Sequence, residues 1–273
     1  MKNLVRVASL VMMMVFTTTL ANATSTGKIG VSDGVSAFTY ADLWTQTTDT
    51  GVSQGFSLNP ALVPYPTIFH VQSAISVTSA NGLLNTPTWM NTTKEITWVA
   101  TLPQTVVAEG FLPTGQGFAS FYNGADPNGT VKWYIQNAFT HDPNIVSNYT
   151  VGTEIMSATL LSVSGSFLTS FGNPNEGTGS YSATFKIINA NPTYIDLGNL
   201  SSKVFGVHFT GTTNVPSFYD PLIMGDGYVY QPGDIKMKVD GSQSFLVPEP
   251  STFLLLGIGM AGFALLRKQS RKS

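Results

Sequence analysis

The 273-residue chain has no cysteine, and only 10% of its residues are charged. Without cysteine there is no disulfide, no thiol nucleophile, no thiolate-bound zinc and no cysteine for lipidation. Arginine is absent from position 7 to position 266. Lys2, Arg6, Arg267, Lys268, Arg271 and Lys272 belong to the two ends; the middle keeps seven basic residues, all lysine, against fourteen acidic ones. That balance, with no basic stripe, excludes nucleic-acid binding driven by phosphate contacts. It suits a soluble exported surface and loose cation bridging in a polymer matrix. No stretch between the ends carries apolar residues at helical spacing, and no repeat of fixed period occurs, which argues against a propeller or solenoid.

The ends are built differently from the middle. Lys2 and Arg6 precede an apolar run from Val7 to about Phe16, and Ala21-Asn22-Ala23 has the small residues of a signal-peptidase site. Residues 1–23 therefore read as a signal peptide, with Ala21 and Ala23 marking cleavage. At the other end Pro248-Glu249-Pro250 leads into Phe253–Leu266, then Arg267, Lys268, Arg271 and Lys272. The two prolines stop any helix entering from upstream and hold Val247 and Glu249 extended, as a protease would need. The apolar run has 14 residues. As a helix it reaches roughly 21 Å, against a hydrocarbon core of about 30 Å. The four cations stay cytoplasmic by the positive-inside rule, which leaves the middle outside. A permanent anchor is the competing reading; the short span favours a transient stop that is cut away, as with the discarded tail of a GPI signal.

This order of Pro-Glu-Pro, apolar helix and basic end, residues 247–273, resembles the PEP-CTERM sorting signal of exported bacterial proteins. The resemblance implies a membrane-embedded exosortase acting at or near Pro248-Glu249-Pro250, passage by the secretion machinery, and transient residence in the inner membrane. It also implies company with exopolysaccharide in biofilm- or floc-forming bacteria. More loosely, the middle resembles the flocculation-associated proteins of that group, through its Thr/Ser/Gly-rich composition and the strand Asp234-Ile235-Lys236-Met237-Lys238-Val239-Asp240-Gly241.

Period-two alternation dominates the middle. Ile96, Trp98, Ala100 and Leu102 share one face of a strand; Val131, Trp133 and Ile135 share another. Tyr181, Ala183, Phe185 and Ile187 alternate with Ser180, Ser182, Thr184 and Lys186. Phe205, Val207 and Phe209 form a further set, as do Ile235, Met237 and Val239. Such runs, rich in Thr, Val and aromatics, predict half-buried antiparallel strands. Asp126-Pro127-Asn128-Gly129, Asp142-Pro143-Asn144 and Asn173-Pro174-Asn175 supply turn chemistry, and Asp226-Gly227 and Asp240-Gly241 suit tight hairpins. Residues 24–246 thus read as one all-β antiparallel β-sandwich, jelly-roll or Greek-key-like, burying Trp98, Trp133, Phe185, Phe209 and Ile235. Residues 31–70 predict one or two edge strands among long loops.

Catalytic chemistry has little to stand on. His70, His141 and His208 lie apart without ligand spacing, and no G-x-S-x-G elbow is present. His208 falls on the polar face of its strand. Glu95, Glu109, Glu154 and Glu176 are the carboxylates a glycosidase would draw on, but no spacing selects a pair. Calcium is the more natural ion, with Asp126 and Asn128 the loop oxygens on offer, though turns explain both. Four Asn-x-Ser/Thr triplets, at Asn91, Asn128, Asn148 and Asn199, are discounted because the tail points to a bacterium, where an Asn- and Thr-rich chain makes them by chance. Trp44 and Trp89, with Tyr219, Tyr228 and Tyr230, are the aromatics in or near loops where a sugar would stack. The reading is a non-enzymatic exported protein of the cell surface or exopolysaccharide matrix, serving aggregation. A carbohydrate-binding module and a secreted glycan hydrolase are the alternatives.

Overall fold

The computed structural model describes residues 24–41, 43–45, 49–57, 59–77, 87–123, 128–138, 149–170, 173–198, 200, 203–213 and 223–248. Strands form wherever apolar and polar residues alternate. In chain order they are β1 (Thr24–Gly27), β2 (Ile29–Val31), β3 (Thr39–Ala41), β4 (Leu43–Thr45), β5 (Asp49–Gln54), β6 (Tyr65–Val77) and β7 (Lys94–Phe111). Then come β8 (Gly117–Asn123), β9 (Thr130–Asn137), β10 (Thr153–Ser170), β11 (Asn173–Ala190), β12 (Ile195–Asp196), β13 (Val204–Thr212) and β14 (Ile235–Pro248). A 3-10 turn spans Pro60–Leu62, capped by the Asn59 side chain. β1 and Leu246–Pro248 are extended segments of a separate unit that contains both chain ends.

Antiparallel pairing runs from β5 to β6 to β7, from β7 to both β8 and β9, and from these two to β10. It continues through β11, β13 and β14 and returns to β4 and β5. β4 and β5 lie end to end in one seat between β14 and β6, while β8 and β9 share the seat between β7 and β10. The all-β antiparallel sandwich expected from the sequence is therefore closed: its two layers are joined by pairing along both sides. Closure removes the unpaired edges that invite aggregation, and roughly eight strands enclose a space that side chains can fill. Neighbours in the ring are neighbours in the chain. The path is an up-and-down meander rather than a Greek key or jelly roll, because successive ring strands pair with one another. A small sheet of β12, β2 and β3 adds to it.

Two further expectations change. Residues 49–54 and 65–77 are paired on both sides, so they are not edge strands. Asp240-Gly241 does not turn; it lies within β14, opposite Thr210 and Phe209. A Cβ at Gly241 would stand 2.6 Å from the His208 carbonyl oxygen, so glycine here lets two strands approach closely. Asp226-Gly227 does form a hairpin, with φ of 90° at Gly227 and Met224 N–H donating to the Tyr228 carbonyl at 2.7 Å.

The inward residues are those the alternation selected. Trp98, Trp133, Phe185 and Phe209 are fully buried, whereas Ile235, near the strand's start, is half-buried. Phe69 on β6 crosses the interior to stack on Tyr181 of β11 at 4.7 Å and on Phe209 of β13 at 5.6 Å. Phe121 and Phe209 flank Tyr181 at 5.6 and 5.3 Å, and Phe205 stacks on Phe185 at 5.3 Å. Burial pushes the Tyr181 phenol well above its ordinary pKa. Truncating Phe69 to alanine removes the ring that ties the two layers. We expect a loss of about 3–5 kcal/mol in urea denaturation, against less than about 0.5 kcal/mol for Ser182→Ala on the outer face.

Candidate functional site

The outside of the ring has two contrasting flanks. Over β5, β6 and β7 it is capped by the segment 223–234, whose hairpin is pinned by three contacts. Gly225 N–H donates to Gln72 Oε1 at 2.7 Å, Thr101 Oγ1 donates to Asp226 Oδ2 at 2.7 Å, and His70 Nδ1 meets the same oxygen at 2.5 Å. His70 Nε2 lies 3.0 Å from Gln54 Oε1, and the Tyr228 ring stacks on the imidazole at 4.1 Å. Tyr228 in turn donates to Asp234 Oδ2 at 2.7 Å; burial and that bond push its phenol pKa up. Lys236 Nζ sits 3.7 Å from the Tyr230 ring centroid, and its burial lowers its pKa. This cap explains why the outward positions Thr50, Val52, Gln72 and Val99 are buried. Both His70 nitrogens are engaged, Nδ1 by Asp226 of the strap and Nε2 by Gln54 of β5, so the imidazole fastens the strap to the sheet.

Across β8, β10, β11 and β13 the outer face is open. Register places Ser120, Ser166, Ser180 and Thr210 in one row across the four strands. The next row is Phe118, Leu168, Thr178 and Thr212, and on the other side lie Tyr122, Ser164, Ser182 and His208. Ser182 and His208 are bonded at 2.9 Å. A shallow groove of about 550 Å³ runs over the first two rows. Six of its twelve lining residues carry hydroxyls, Phe118, Phe167 and Leu168 add apolar surface, and none of the described residues that line it is ionisable.

The sequence-selected residues fall as follows. Ala21, Ala23, Glu249, Pro250, Arg267, Lys268, Arg271 and Lys272 lie outside the described residues, as do Asp126, His141 and Tyr219; Pro248 ends β14. Asn128 is exposed just before β9, and among the described residues no three His, Asp or Glu side chains gather as a metal site. Trp44 is in strand β4, opposite Ser242 and Ser76, rather than in a loop. Trp89 does sit in the turn before β7, but it is 5% exposed, so its indole packs inward and offers no face to a sugar. Glu95 is buried and accepts from Gln136 Nε2 at 2.8 Å. Glu109 accepts from the Tyr65 hydroxyl at 2.6 Å and from Asn59 N–H at 2.9 Å. Glu154 pairs with Lys132 at 3.4 Å, and Glu176 is exposed on β11.

Residues 246–268 match the family described as the PEP-CTERM protein-sorting motif. The chain carries a PEP-CTERM sorting signal. That signal makes it an exosortase substrate, exported through the inner membrane to the cell surface and processed at the membrane. The PEP-CTERM match covers the tail and leaves the closed sheet outside it. No curated protein and no solved structure matched the chain.

The strap yields a pH prediction. The Asp226 side chain is 16% exposed, and burial alone would raise its pKa. The hydrogen bond and charge of His70, with bonds from Thr101 and the Tyr228 N–H, outweigh burial and hold the carboxyl below its ordinary 3.8. A depressed carboxyl contributes stability that is complete above its unfolded pKa and lost as pH falls through the folded one. Thermal melts at about pH 7 and about pH 3 should show a smaller acid loss for Asp226→Asn than for wild type. At neutral pH that variant should be less stable by about 1–3 kcal/mol.

Proposed function

We propose that this is a non-enzymatic exported protein, retained at the cell surface or in the exopolysaccharide matrix, where it promotes cell aggregation in biofilms or flocs. The observation that carries this reading is the sorting signal at 246–268. Three of the four glutamates a hydrolase would draw on are engaged by neighbours, Glu95 with Gln136, Glu109 with Tyr65 and Glu154 with Lys132. That favours a structural role over the hydrolase reading. The open hydroxyl flank favours the second reading, a carbohydrate-binding module, since hydroxyls both donate to and accept from sugars.

Deleting the gene, or truncating the chain before Pro248, should impair aggregation while growth stays normal. Unimpaired aggregation in both strains would remove the matrix role. The tail has its own check. Mass spectrometry of the exported form should detect no peptide from Phe253 onward. Recovery of the Arg267–Ser273 end from the surface fraction would replace processing with permanent anchoring.

A further inference from the structure

We propose that the groove over β8, β10, β11 and β13 is a binding site for a strand of uncharged polysaccharide. This deepens the reading above and rests on its choice of polysaccharide as the partner. Neighbouring strands stand about 4.8 Å apart and alternate residues about 6.8 Å apart, so the register turns Ser120, Ser166, Ser180, Thr210, Thr178 and Thr212 into a regular hydroxyl lattice. A hydroxyl donates and accepts, so such a lattice answers a sugar hydroxyl in either orientation. Because each side chain stands on a paired strand, the lattice is preorganised, and little entropy is lost on docking. Phe118 and Leu168 at one end supply apolar area for the C–H face of a pyranose.

Charge selects the class of polymer. Among the described residues, none that lines the groove is ionisable. The charges begin at its β14 border, where Lys238 stands opposite Thr212 and Asp240 opposite Thr210. Two opposite charges side by side give no net attraction for a polyanion, and the acidic balance of the middle of the chain repels one. A neutral glycan needs no counter-ion and loses no ionic hydration on entry.

The test is affinity electrophoresis of the exported, processed protein through gels containing hydroxyethyl cellulose, dextran or polygalacturonate. Retardation by a neutral polymer should persist as salt rises from about 50 to about 500 mM. Phe118→Ala, Ser166→Arg and Thr210→Arg should each weaken it at least about tenfold, while Asn189→Arg, on β11 outside the groove, should leave it unchanged. Ser166 and Thr210 are both exposed, so either arginine variant serves if the other fails to fold. No retardation by either neutral polymer, retardation by polygalacturonate alone, or equal retardation of all variants would overturn the site. Full rescue of aggregation by Ser166→Arg in a deletion strain that has lost it would also overturn the site while leaving the matrix role intact. Neutral-polymer binding with the expected variant pattern, in a strain whose deletion leaves aggregation normal, would uphold the site and remove the matrix role.

Discussion

Asp49–Ser53 of β5 hydrogen-bonds to β14 on one side, while Thr50–Gln54 bonds to β6 on the other, and this seam joins the first strands of the ring to the last. Everything else in the body depends on that seam. Once it forms, each ring strand has two neighbours, the backbone groups along the sheet are paired, and the inward side chains share one enclosed interior. Phe69, Tyr181 and Phe209 then meet across that interior from strands far apart in sequence. With no disulfide available, burial of these rings and closure of the ladder hold the molecule together.

Closure also decides where function can sit. An open sheet would offer its edge to a partner; a closed one offers only its outer faces and its ends. One flank is occupied by the strap 223–234, fastened through His70, Gln72 and Thr101. The other is left to a hydroxyl lattice. That division belongs to a protein handed to the cell surface by its sorting signal.

Some of this was legible in the sequence. Ile96–Leu102, Tyr181–Ile187 and Phe205–Phe209 announce both their strands and their inward faces, because bulky apolar residues recur at every second position. At β6 the cover was hidden for a physical reason. Its outward residues, including His70 and Gln72, are polar yet buried beneath a hairpin about 150 positions later, and no local pattern signals such a cover. The hairpin at Asp226-Gly227 was readable, but what it fastens to was not. Asp240-Gly241 misled because a glycine that permits close strand approach has the same letters as one that permits a turn. Trp89 misled similarly: its turn is real, and the turn folds the indole inward. The sorting signal, by contrast, is linear and local, so its residues were fully readable.

Hydrogen exchange followed by mass spectrometry on the seam peptides, Asp49–Gln54 and Ile235–Val239, tests closure most directly. If the ring is closed, their amides should exchange as slowly as those of β11, which is paired on both sides by β10 and β13. Exchange of both seam peptides at the rate of exposed loops, with β11 still protected, would mean an open sheet and would contradict the closed architecture.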